Sequence, residues 1–126
     1  MSSFTSALVV EPYGDGRRWR LVLPFEYYRT GREHIRYKIP KGFVTDFASV
    51  PRILWPILPP YGRYGKAAVL HDYLYRSGAA ERKEADLIFK EAMEVLGVAK
   101  WKKELLYLGV RLFGAKRYQQ FRKERR

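Results

Sequence analysis

Apolar and polar residues change their rhythm midway along this chain. In the first half the period is two. Trp19, Leu21 and Leu23 fall on one side of an extended segment with Arg20 and Val22 on the other, and Ile35, Tyr37 and Ile39 alternate with Arg36 and Lys38. Alternation of this kind predicts half-buried strands. Shorter strands are expected at residues 7–10, 25–28 and 43–44, with turns at 13–16 and 30–33, where glycine accepts positive φ. A small antiparallel sheet is the natural product.

After a segment with prolines at 51, 56, 59 and 60, which forbid a long helix, the period becomes helical. Residues 66–76 put Ala67, His71, Leu74 and Tyr75 on one face, and Ser77-Gly78 ends the run. Residues 82–96 carry an apolar stripe of Ala85, Ile88, Phe89, Ala92, Met93 and Leu96, closed by Gly97. Residues 100–113 are expected to bury Trp101, Leu105, Leu108, Gly109 and Leu112, with Gly109 open to close packing. Gly114 breaks that helix, and a basic segment continues over 115–126. One α+β domain follows: a strand-rich part (1–50), a Pro-rich linker (51–65) and three to four helices packed on the small antiparallel sheet.

Composition narrows the class. The 126 residues suffice for one core, and 47% of them are hydrophobic, so disorder is excluded. Cysteine is absent, which removes disulfides and thiolate metal sites. No apolar run reaches membrane-spanning length, and the first ten residues lack a signal-peptide pattern. Host cytoplasm or a particle assembled there is the expected location.

The charge is +12. From Lys100 onward ten basic residues face two acidic ones, a surplus of eight in the last 27 residues. Such a surplus fits an anionic phospholipid or envelope polymer, or an acidic partner such as a phage structural protein. Nucleic acid is allowed by charge, but no helix-turn-helix, zinc-finger or stacking motif accompanies it.

Polar residues on apolar faces are the informative ones. His71 lies on the buried face of its helix and needs a hydrogen-bond partner. The short connection after Ser77 makes the next helix antiparallel, which brings Asp86 opposite His71 and Tyr75. A carboxylate on one ring nitrogen would leave the other as a base. His71, Asp86 and Tyr75 are therefore the candidate catalytic set. Asp72 points about 100° away and is a candidate ligand for a hard cation such as Ca²⁺ or Mg²⁺, with Asp46 as a second. Zinc fits less well, because the only histidines are His34 and His71. Ser49 and Arg63 are candidate substrate contacts, although Asp46 and Ser49 also fit a turn that bonds its own backbone. Arg82, four residues before Asp86, is placed to pair with it.

Gly42-Phe43-Val44-Thr45-Asp46-Phe47-Ala48-Ser49-Val50-Pro51, His71-Asp72-Tyr73-Leu74-Tyr75, Ala85-Asp86-Leu87-Ile88-Phe89 and Ala92-Met93 resemble, in that order, a phage and prophage family catalogued as a domain of unknown function. Tyr107 and Val110-Arg111-Leu112-Phe113-Gly114 resemble its C-terminal helix. The family implies a phage origin but no activity. His71-Asp72-x-x-Tyr75 also resembles the helix motif of secretory phospholipases. That likeness implies a histidine that activates water, a following aspartate that binds calcium, and a tyrosine bonded to a second aspartate, here Asp86. The disulfides and the glycine-rich calcium loop of those enzymes have no match.

Two functions follow. One is a phage accessory hydrolase with a His–Asp site, which a divalent cation could assist, acting on an envelope ester or amide. The other is a non-enzymatic virion or tail component in which the His–Asp network braces two helices. Access to His71 separates them, and an exposed apolar patch at Trp55 or Trp101 would mark a partner surface.

Overall fold

The computed structural model describes residues 3–4, 7–14, 18–29, 32–47, 50, 52–58 and 64–124. The strands are β1 (Ser3–Phe4), β2 (Val10–Tyr13), β3 (Arg18–Leu21), β4 (Phe25–Arg29), β5 (Arg32–Ile39) and β6 (Val44–Thr45). A 3₁₀ turn, Arg52–Leu54, leads to α1 (Gly65–Ser77), α2 (Arg82–Val95), α3 (Lys100–Phe113) and α4 (Ala115–Glu124). The α+β arrangement is as expected. The strands form two antiparallel sheets rather than one, in the orders β1-β4-β5 and β2-β3-β6. β3 stops at Leu21, and Pro24, which has no N–H to give to a ladder, separates it from β4 in the other sheet.

β3 shows the expected alternation: Arg18 and Arg20 exposed, Trp19 half-buried, Leu21 buried. Leu21, Phe25, Tyr27 and Ile39 join Ala67, Leu70 and Leu74 of α1 and Ile88, Phe89 and Met93 of α2 in one core. Tyr27 also donates from its hydroxyl to Glu91 of α2 at 2.5 Å, and Arg29 bridges Glu84 and Glu91. These polar ties lock the β1-β4-β5 sheet onto α2. α1 ends as its sequence dictates, with Gly78 left-handed at φ 70° and its N–H bonded to the carbonyl of Leu74.

α3 overturns the expectation for its buried face. Leu106 and Val110 are buried, whereas Trp101, Leu105, Leu108 and Leu112 lie on the outer side, 39–62% exposed. A Cβ on Gly109 would meet open space, so that glycine serves no close packing. Polar ties to α2 set the rotation of the helix: Lys103 to Glu94, Glu104 to Lys90 and Arg111 to Asp86. Gly114 is the glycine that matters. A Cβ there would lie 2.5 Å from the Val110 carbonyl oxygen and 2.6 Å from the Tyr75 hydroxyl. Trp55 is half-buried, its indole N–H donating to the Val50 carbonyl at 2.8 Å.

Candidate functional site

α1 carries two adjacent buried polar residues pointing to different neighbours. His71 is 2% exposed and Asp72 1%. The 100° step between consecutive helix residues sends His71 toward α2 and Asp72 toward β6 and α4. Each meets a separate hydrogen-bond centre.

The first centre is Asp86, fully buried on α2. His71 Nε2 lies 2.6 Å from its Oδ1, and the Tyr75 hydroxyl donates to the same oxygen at 2.6 Å. Arg111 of α3 donates to Oδ2 at 2.7 Å. The structure thus brings together the three residues that the sequence singles out and adds a fourth. Rings of Tyr75 and Phe89 flank the imidazole, with centroids 4.2 and 4.8 Å away. Burial penalises the imidazolium more than Asp86 favours it, so the His71 pKa falls below its usual value. Burial alone would raise Asp86, but hydrogen bonds from His71, Tyr75 and Arg111 outweigh it and hold the carboxyl below the usual range. Burial and the neighbouring carboxylate push the Tyr75 hydroxyl far up, so it stays a donor. A neutral histidine beside a carboxylate carries its proton on Nε2 and its lone pair on Nδ1.

The second centre is Asp72. The Thr45 hydroxyl donates to Oδ2 at 2.7 Å while accepting the Phe47 N–H at 3.1 Å. Phe47 takes φ 55°, uncommon for a residue with a Cβ, at the bend that presents Thr45. Arg117 of α4 donates to Oδ1 at 2.5 Å and to Asp46 Oδ1 at 3.1 Å, and Arg76 approaches Oδ1 at 3.4 Å. Asp46 and Asp72 therefore converge on one positive group, the Arg117 guanidinium. Among the described residues no group of three or more His, Asp or Glu side chains could hold a metal ion. With an arginine already between the two carboxylates, this donor set does not fit a hard divalent cation.

Arg82 does not pair with Asp86 as expected. Its guanidinium instead donates to the carbonyls of Val110 and Arg111, at 3.1 and 2.5 Å, in the last turn of α3. Arg111 takes the Asp86 role. Ser49 and Arg63 lie outside the described residues. Sequence reasoning missed Thr45, Arg111 and Arg117. Thr45 stood in a noted motif, but the two arginines sit in a basic run where nothing sets them apart.

Taken together, the chain is a small α+β domain built round a helix pair whose facing sides share a buried His–Asp–Tyr cluster. Its residues 19–110 match the family described as "Protein of unknown function (DUF1353)", and the chain belongs to that family. It is similar to the "Uncharacterized protein y4jT" of Sinorhizobium fredii, 32% identical over 82 residues, which is 64% of this chain and 24% of that protein. The chain thus matches about a quarter of that relative's length. No solved structure matches.

Proposed function

We propose that the protein is a phage- or prophage-type hydrolase of an envelope ester or amide, with His71 as general base and Asp86 and Tyr75 as positioning residues. The observation that carries this reading is the 2.6 Å contact of His71 Nε2 with Asp86 Oδ1, with the Tyr75 hydroxyl on the same oxygen. Nδ1 would take a proton from water as the water oxygen adds to the substrate carbonyl carbon. The C–O or C–N bond then breaks, and the same proton passes to the leaving alcohol or amine. The lowered His71 pKa keeps the ring neutral, the form a base requires. His71 is 2% exposed, so substrate access requires a local opening, for which α4, resting on α1 with no fully buried residue, is the candidate. The phage assignment, with action in the host cytoplasm or from a virion, rests on the ordered motif resemblance.

The 2% exposure of His71 favours a second reading, a non-enzymatic virion or assembly component in which the cluster braces α1 against α2 and α3. One experiment separates the two. Turnover of phospholipid and peptidoglycan-derived substrates is compared between the wild-type chain, His71→Gln and Asp86→Asn, with circular dichroism confirming the fold. A hydrolase loses about 10²–10⁴-fold in rate on losing its base. Turnover that survives in folded His71→Gln overturns the hydrolase. An inactive wild type, with variants that only melt earlier, establishes the brace.

A further inference from the structure

α3 carries its larger apolar stripe on the side facing away from the body. Trp101, Leu105, Leu108 and Leu112 follow helical spacing and are 56, 39, 54 and 62% exposed, and Phe113 beside their C-terminal end is 79% exposed. The buried residues of the helix, Leu106 and Val110, lie on the opposite side. The stripe runs for about 16 Å at 1.5 Å per residue. A contiguous exposed row of this kind on a monomer marks an interaction surface.

Charge decides what covers it. Several basic groups of α3 and α4 are already engaged: Lys103 with Glu94, Arg111 with Asp86, and Arg117 with Asp46 and Asp72. Lys100, Lys102, Lys116, Arg122 and Lys123 have no carboxylate partner among the described residues, and the Lys102 ammonium sits 5.6 Å from the Trp101 ring centroid. A second copy would bring another +12 against this one, and like charge opposes such a pairing. The stripe is a ridge along a single helix, rich in Leu and Trp, with uncompensated cations on the same two helices. That is the make-up of a helix lying in a lipid–water interface. Among the described residues no helix is long and apolar enough to cross a membrane.

We infer that α3 docks the protein on an anionic lipid bilayer, with Trp101, Leu105, Leu108, Leu112 and Phe113 entering the interface and the lysines of α3 and α4 meeting the headgroups. If the hydrolase reading holds, this surface brings it to a lipid phase, but the inference does not depend on turnover.

The test is co-sedimentation of the full chain with phosphatidylcholine vesicles, with and without a quarter of phosphatidylglycerol, alongside tryptophan fluorescence. Binding is expected only to the anionic vesicles, with a blue shift that Trp101→Phe removes. Leu108→Ser combined with Leu112→Ser should weaken binding roughly tenfold to hundredfold with circular dichroism and melting unchanged, because both side chains are more than half exposed. His71→Gln should bind like the wild type, which separates this test from that of the hydrolase. Equal binding by the double-serine variant would overturn the inference in favour of charge alone. Absent vesicle binding, with a wild-type dimer that the double-serine variant dissociates, would overturn it in favour of a second copy. Stripe-dependent binding to polyglutamate but not to vesicles would overturn it in favour of an acidic protein.

Discussion

Asp86 accepts three hydrogen bonds from three side chains on two other helices, and together they offset the burial of its carboxylate. Asp86→Asn removes the charge that Arg111 and the His71 Nε2–H require. We expect a loss of about 3–5 kcal/mol, as for breaking a buried pair, readable as an earlier midpoint in urea. Gly114→Ala should lose about 1–3 kcal/mol through overpacking against Tyr75 and the Val110 carbonyl, whereas Gly109→Ala, open on that side, should be neutral or stabilising. His71 adds a pH signature. Its folded pKa lies below the usual 6.5, so the unfolded chain takes up the proton first as pH falls. Stability is therefore full above about 6.5 and declines below it until the folded pKa is passed. Melting temperature followed against pH should show that decline, and His71→Gln should flatten it.

Among the elements, α1 and α2 were legible because pattern and chemistry agree there: the apolar stripe, the stop signals and the polar residues on the buried face all indicate one antiparallel pair. α3 was legible in extent but not in rotation. It has two apolar faces, and the larger was expected inside. Ion pairs from Lys103, Glu104 and Arg111 to α2 hold Leu106 and Val110 inward instead, and long-range pairs of this kind leave no periodic trace. The same holds for Arg82, whose i,i+4 spacing pointed to Asp86 while the last-turn carbonyls of α3, Val110 and Arg111, took its guanidinium. Leu106→Ala should therefore destabilise by about 2–5 kcal/mol, while Leu108→Ala should stay within about 0.5 kcal/mol. Thermal melts of the two variants would expose a wrongly assigned face.

Across the whole molecule, the division into strand-rich and helical halves was plain from the change of period, but the partition of strands into two sheets was not. Pro24 breaks the ladder without saying where the chain goes next. Nor did the basic tail reveal that one of its arginines closes the structure. Arg117 joins α4 to α1 and to the residue after β6. Arg117→Ala leaves Asp72 buried with Thr45 and the distant Arg76 only, and we expect a loss of about 3–5 kcal/mol, with faster hydrogen exchange in α4 and β6. Arg117 follows Asp46 by 71 residues and Asp72 by 45. At about 5–20 residues per second, a ribosome delivers it seconds after the aspartates it must neutralise. Until then the Asp72 carboxylate, destined for the interior, lacks its closest cation and has Arg76 at 3.4 Å instead, so water is its better environment. Closure around Asp72 is therefore expected to wait for Arg117, so that docking of α4 is the step that completes the fold.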